Sequence, residues 1–402
     1  MFARRINRCF NLEDFRSGAK ARLPTPLYHY IEGGADDEIT RYHNTAAFNQ
    51  YALIPRCLEE VTTVDTKTTV LGCEVDWPVI LSPTGMTRFF HHEGERAVAR
   101  AAERFGTLYS LSTLSTTSIE DIAAETSGPK LFQLYVLRDP GINRELIDRC
   151  RSSGFNALCL TVDTVVQGNR ERDLRTGMTV PPKPTLASLA AFAARPRWVY
   201  RYFTTPPLEM ANLSRHIAEG SSKVSSLGHY INGQFDRALN WSAAEAIAQH
   251  WRGAFAIKGI MSAEDAKRAK SIGATAVIIS NHGGRQLDTS PAPIEQVGEI
   301  ADAVGGEMDI IVDGGVRRGT HVLKALALGA TACMIGRPYL YGLAAGGQPG
   351  VERVLDLLRS ELERDMILSG RPALSRLDSE WVKRRDWPFI QPNVRPDTYR
   401  AF

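Results

Sequence analysis

Eight short apolar runs, each followed by a longer amphipathic stretch, constrain the fold of this chain more than any other feature. They lie at 78–83, 107–112, 131–136, 157–162, 254–258, 276–280, 309–313 and 332–336. None shows the in–out alternation of a half-exposed strand, so each reads as a strand covered on both faces, the condition of a parallel sheet wrapped by helices. Helical patterns fill gaps at 93–105, 142–152, 242–251, 262–272 and 320–328. Ser262 followed by Glu264 and Asp265 marks a helix start: the serine caps a backbone N–H and the acids offset the positive dipole end. This alternation predicts an α/β fold, a (β/α)8 TIM barrel. A doubly wound open sheet is the runner-up, because strand count alone does not show closure.

The chain has 402 residues, enough for two or three average domains but also within reach of one barrel with insertions. The alternation favours a single domain over 1–402. It comprises an N-terminal extension (1–76), the barrel (77–370), an insertion or lid (172–240) and a C-terminal tail (371–402). The insertion separates the fourth strand from its helix and far exceeds an ordinary βα loop. Within it, a small-residue apolar stretch at 186–194 precedes arginines interleaved with aromatics at 195–203. Such a segment suits a membrane interface, or alternatively an active-site lid or subunit contact.

Apolar residues at 43% and charged residues at 23% exclude disorder for most of the chain. A net charge of +3 is too mild for a nucleic-acid-binding face. The six cysteines (Cys9, Cys57, Cys73, Cys150, Cys159 and Cys333) form no CxxC and have no histidines at zinc-finger spacing. They read as reduced, mostly buried thiols, and no metal site is expected. No leader-like apolar segment follows the basic N-terminus, and no run reaches the roughly 18 residues of a spanning helix. The expected location is cytoplasmic, with 186–203 offering peripheral contact to the cytoplasmic face of the inner membrane.

Polar residues gather at the C-terminal ends of the apolar runs, where barrel active sites are built. They are Thr84, Ser112, Gln133, Tyr135, Thr161, Asp163, Lys258, Ser280, His282, Arg285 and Asp313. In SNHGGRQLD (280–288), His282 just beyond a strand offers a base that titrates near neutrality, and Arg285 a fork for a carboxylate. Asp163, ending another strand, is placed to hold the imidazole tautomer. DGGVRRGT (313–320) and IGRP (335–338) follow strands seven and eight, where barrels frequently bind phosphate through glycine-rich backbone and positive charge. A flavin-free phosphate-binding barrel would retain these loops without needing His282, Asp163 and the arginines.

These motifs, in order, resemble the FMN-dependent α-hydroxy-acid dehydrogenase/oxidase family. The likeness runs over about 23–370. It includes LPTPLYHYIEGGADDE (23–38), LSPTGM (81–86), FQLYV (132–136), LTVDT (160–164), GNRERD (168–173) and DGGVRRGTHVLKALALGA (313–330). The resemblance implies FMN as cofactor on a (β/α)8 barrel. By matching position, His282 corresponds to the base and Asp163 to its partner. Arg285 and Arg170 correspond to the substrate-carboxylate clamp, Tyr30 and Tyr135 to the hydroxyls that touch substrate, and Lys258 to the cation beside the flavin pyrimidine edge. Pro83, Thr84, Gly85, Ser112, Gln133, Thr161 and Ser280 correspond to isoalloxazine and ribityl contacts. Asp313, Gly314, Gly315, Val316, Arg317, Gly336 and Arg337 correspond to ribityl and phosphate contacts.

Leu114 stands where glycolate oxidase carries a tryptophan, and Gly85 where some oxidases carry alanine, which leaves room for a substituent on C2 of the substrate. The resemblance therefore implies oxidation of an L-2-hydroxy acid to the 2-oxo acid, L-lactate first and an aryl acid such as mandelate second. Electrons pass to a quinone or another acceptor that is not O2, an H2O2-producing oxidase being the alternative. The family implies a homotetramer.

Overall fold

The apolar runs fold as eight parallel strands: β1 Val79–Thr84, β2 Tyr109–Ser112, β3 Lys130–Tyr135, β4 Ala157–Thr161, β5 Ala254–Ile260, β6 Ala276–Ser280, β7 Asp309–Asp313 and β8 Ala332–Ile335. The computed structural model describes residues 6–178, 183, 185–216 and 236–385. The strands pair in chain order, and β8 returns to β1 with Cys333 opposite Val79 and Ile335 opposite Leu81, so the sheet is a closed barrel. Closure disposes of the open doubly wound sheet. It removes both sheet edges and leaves every strand covered outside by helices and inside by its own side chains. Ile80, Leu131, Cys159, Ile278, Ile311 and Met334 fill that interior.

Each barrel strand leads to a helix: α1 Gly94–Arg104, α2 Ile119–Glu125, α3 Pro140–Ser152, α4 Trp241–Trp251, α5 Ala263–Ser271, α6 Pro293–Val304, α7 Gly319–Ala327 and α8 Arg337–Gly346. Ser262 caps α5 as its sequence predicts, accepting from the Asp265 N–H. Strand register shifts at two places, between Leu81 and Thr84 and between Lys258 and Ile260. Pro83 lies in the first shift, where its missing N–H interrupts the ladder. Gly259 lies in the second at φ 108, and a Cβ there would meet the Asp163 Cβ at 2.8 Å. Both irregularities sit at the catalytic end of the barrel and set how closely its loops approach.

The extension caps both ends. An antiparallel pair, Thr68–Val70 with Cys73–Val75, plugs the bottom, where the Leu71 N–H donates to Asp309 Oδ2 at 2.6 Å. Helices Leu12–Arg22, Thr25–Glu32 and Ile39–Ala46 reach the top. Buried charges fasten them: Arg41 pairs with Glu32 and Glu38, and Arg172 of the insertion pairs with Glu38 at 2.5 Å. The C-terminal tail, as far as it is described, includes a strand, Val382–Arg384, that pairs with Tyr51–Leu53. The described insertion contains helices Glu171–Thr176, Leu186–Ala193 and Pro196–Thr204; residues 217–235, within the predicted 172–240 segment, lie outside the described residues.

No described helix is long and apolar enough to cross a membrane. The six cysteines form no disulfide; only Cys150, Cys159 and Cys333 are buried, and Cys57 is exposed.

Candidate active site

A cavity at the C-terminal ends of the strands is lined by nearly every residue the strand-end pattern and the family likeness single out. Asp163 and Ser280 are the exceptions: both stand behind the cavity wall, each supporting a residue that reaches it. Ser280, which the family likeness places at the cofactor, is fully buried at the end of β6, accepting from Lys258 Nζ at 2.8 Å and from the His282 N–H at 3.1 Å, and donating to Asp313 Oδ2 at 3.0 Å.

His282 occupies the left-handed region at φ 57, followed by Gly283 and Gly284 at 67 and 72. This sharp exit from β6 turns the imidazole back over the barrel mouth. Its Nδ1 lies 3.0 Å from Asp163 Oδ1, which also accepts from Thr164 Oγ1 at 2.9 Å. Donation from Nδ1 to the carboxylate is the assignment that leaves the Nε2 lone pair facing the cavity, 3.5 Å from the Tyr135 hydroxyl. Burial pulls the His282 pKa below its ordinary value, with Asp163 opposing that shift. Burial alone would raise Asp163, but the facing imidazole, its hydrogen bond and Lys258 hold the carboxyl below the usual range. At neutral pH the pair is a neutral base against a carboxylate. Burial, with Asp163 adding to it, pushes Tyr135 up to about 12, so its hydroxyl stays a donor.

Two arginines face the same space. Arg285 donates to the Tyr30 and Gly33 carbonyls at 2.6 and 3.2 Å, and its guanidinium lies 5.0 Å from the Tyr30 ring centre. Arg170 carries a buried Nε with no hydrogen-bond partner among the described residues. Burial and the adjacent Arg170 charge bring Arg285 down to about 10, still cationic at neutral pH. Two close guanidiniums beside an apolar wall call for an anion between them.

Across the floor, Ser112 Oγ donates to Gln133 Oε1 at 2.9 Å and Gln133 Nε2 donates to Thr161 Oγ1 at 2.9 Å, a polar row over β2, β3 and β4. Lys258 continues it from β5, paired with Asp313 at 2.8 Å. Burial opposes its charge, but Asp313 and Asp163 raise its pKa above the ordinary value. Gly314 and Gly315, at φ 144 and 79, carry the chain past the cavity beside Arg317 and Gly336. Arg337, read as a phosphate ligand, gives hydrogen bonds to the carbonyls of Ile31, Gly283 and Gly33 at 2.8–2.9 Å. It therefore ties the extension to the β6 loop as well as lending charge.

Several contributors were not singled out by sequence. Asn44 and Asn281 exchange side-chain amide hydrogen bonds at 2.8 and 2.7 Å beneath the β6 loop. Gln286 donates to the Asp163 and Val166 carbonyls at 2.9 and 2.7 Å, clipping the β4 loop to the β6 loop. Met178 and Met210 of the insertion join Phe90 and Leu114 in the wall. Asn281 and Gln286 lie inside the quoted motif and could have been found there; the methionines carry no local signal.

A sequence model of FMN-dependent dehydrogenases matches residues 19–384. The chain belongs to that family. An L-lactate dehydrogenase of Alcaligenes faecalis is 38% identical over 372 residues, covering 92% of this chain and 98% of its own. Spinach (Spinacia oleracea) glycolate oxidase is 37% identical over 377 residues, covering 94% and 96%. Among solved structures, the monotopic membrane protein (S)-mandelate dehydrogenase superposes with a TM-score of 0.90 at 35% identity, covering 94% of this chain and all of that one. This FMN-dependent 2-hydroxy-acid dehydrogenase/oxidase has a cavity that fits its cofactor. The polar row from Ser112 to Thr161 can meet the hydrogen-bonding edge of a flavin, buried Lys258 supplies fixed positive charge, and the Gly314–Gly315 backbone with Arg317 suits a phosphate.

Proposed function

We propose that this enzyme oxidises L-lactate to pyruvate, with His282 as the base. The observation that carries the reading is the neutral His282, oriented by Asp163 and facing the same cavity as Arg170 and Arg285. The arginines clamp the substrate carboxylate, with Tyr30 and Tyr135 adding hydroxyl contacts. His282 Nε2 then takes one proton from the substrate, from C2 or from its hydroxyl, and Asp163 stabilises the imidazolium. FMN, when bound, supplies the two-electron acceptor. Lys258 stabilises the negative charge that accompanies its reduction. Pro83, Thr84, Gly85, Ser112, Gln133 and Thr161 hold its ring and ribityl chain, while residues 313–317 with Gly336 and Arg337 hold ribityl and phosphate. Ser280 adds a contact to the ribityl chain and also holds Lys258 and Asp313.

Leu114 and Gly85 leave space at C2, which supports a substrate larger than glycolate. A mandelate-type acid is the second reading, favoured by Met178 and Met210, whose flexible side chains adapt to an aryl group. Anaerobic bleaching of the flavin by glycolate, L-lactate, D-lactate, L-2-hydroxybutyrate and mandelate tests the choice. L-lactate is expected to reduce it fastest; a kcat/KM higher for mandelate selects the second reading, and reduction by D-lactate alone overturns both. His282→Gln is expected to keep FMN and slow flavin reduction by about 10²–10⁴-fold.

A single functional domain, a homotetramer and peripheral membrane contact through 186–203 complete the proposal, with a membrane quinone as electron acceptor. Exposed Leu186, Leu189, Tyr200 and Phe203 support the membrane contact. Reoxidation by air within one turnover would exclude the quinone reading in favour of an oxidase.

A further inference from the structure

We propose that Asn212 of the insertion is a positioning residue for substrate specificity: it fixes the spacing between Leu114 and Met210, two apolar side chains of the substrate wall. This rests on the hydroxy-acid reading proposed above and deepens it by naming what sets the width of the pocket.

Asn212 is fully buried, and its amide is used at both ends. Oδ1 accepts from the Ile119 N–H at 2.9 Å, while Nδ2 donates to Ser115 Oγ at 2.9 Å and to the Ser112 carbonyl at 3.4 Å. These partners fix the amide orientation, because a backbone N–H only donates and a carbonyl only accepts. Ile119 opens α2, so its N–H is one that the helix leaves without an internal partner. Asparagine alone suits the place: aspartate lacks the donors, and leucine of similar size lacks donors and acceptor alike.

The two donations land on either side of Leu114, one on Ser112 and one on Ser115. Met210 stands two residues before Asn212, and the intervening Ala211 N–H donates to the Ser115 carbonyl at 3.1 Å. Leu114 and Met210 both line the active-site cavity. One buried side chain therefore joins the loop after β2 to the insertion at the point where each contributes to the wall.

The loop after β2 is also held from the barrel side. Fully buried Glu95 of α1 accepts from the Thr116 N–H at 2.8 Å, from Thr116 Oγ1 at 2.7 Å and from Thr117 Oγ1 at 3.0 Å. The Leu114 carbonyl accepts from the Met86 N–H at 2.9 Å. Leu114 thus stays with the barrel when Asn212 is lost, and Met210 is the side that moves. A methionine changes rotamer readily, so it defines a wall only where its backbone is fixed. Loss of Asn212 widens the pocket.

The test uses the FMN-loaded enzyme and compares a methyl with a phenyl group on C2. Pyruvate and phenylglyoxylate are titrated against the flavin spectrum for Kd, and L-lactate and (S)-mandelate are compared by kcat/KM. Asn212→Ala is expected to shift both ratios about 10-fold towards the phenyl compounds. The lactate KM is expected to rise while kcat stays within about threefold, as for a contact equal in ground and transition states. Ser115→Ala removes the acceptor at the other end of the link without touching the insertion, and is expected to shift the ratios the same way by less. In a Met210→Ala background, Asn212→Ala is expected to add nothing further. Thr66→Val, which removes a buried hydrogen bond to the Asp76 carbonyl near the bottom hairpin, is expected to leave the ratios unchanged.

Unchanged ratios in Asn212→Ala overturn the proposal, as does an equal loss of affinity for both 2-oxo acids. A shift that persists in full in the Met210→Ala background shows that Asn212 does not act through Met210 and overturns it too. The same shift in Thr66→Val reduces the effect to general softening. Failure of the wild type to bind either 2-oxo acid overturns the hydroxy-acid reading itself, and this proposal with it.

Discussion

His282 is held in a left-handed conformation that costs a non-glycine residue of order 1 kcal/mol, and the surrounding contacts maintain it: Asp163 on Nδ1 and Ser280 on its backbone N–H. Because the base must be neutral, kcat/KM is expected to be full above the histidine pKa and to fall as pH drops through it. Burial lowers that pKa, so the acidic limb lies below the ordinary value of about 6.5. Asp163→Asn removes an influence that raises the pKa and stabilises the imidazolium. The limb is expected to move further towards acid while kcat falls by about 10²–10⁴-fold. A pH profile of flavin reduction checks both; a limb that moves upward, or a kcat within threefold of wild type, would contradict the pairing.

At the level of elements, the loops after β6 and β7 are shaped by what presses on them. Gly315 has φ 79, and a Cβ there would meet the Asn44 carbonyl oxygen at 1.8 Å. Helix Ile39–Ala46 of the extension therefore sets how the glycine turn of the strand-seven loop is held, and any side chain at Gly315 must displace it. Gly315→Ala is expected to weaken FMN binding by about 10-fold or more, the result of roughly 1–3 kcal/mol of backbone strain plus the displaced contact. Fluorescence titration of the apoprotein with FMN measures this, and unchanged affinity would show that the loop relaxes freely.

Over the whole molecule, the extension, barrel and insertion meet through buried charge. Glu38 accepts from the Gly34 N–H at 3.0 Å and binds both Arg41 and Arg172. Glu38→Gln removes the carboxylate that those two buried guanidiniums share, leaving Glu32 as the carboxylate on Arg41, and is expected to destabilise the fold by about 3–5 kcal/mol. Denaturant unfolding monitored by circular dichroism tests this. A loss under 1 kcal/mol would mean that Glu32, which also pairs with Arg41, carries the junction.

The eight strands, most of their bounds and the strand-end chemistry were legible in the sequence, because double-sided burial writes a local apolar run and each polar end follows it directly. His282, Asp163 and Lys258 could be singled out for that reason. Closure of the barrel was not legible, since it depends on Cys333 meeting Val79 across the chain. Nor were the hydrogen bonds of Ser280 to Lys258 and Asp313, the carbonyl ties of Arg337, or the Asn44–Asn281 pair. Those depend on which distant backbone arrives beside each side chain. Local periodicity determined the elements and the chemistry they carry; only the tertiary structure decided which polar groups face the cavity and which hold the others in place.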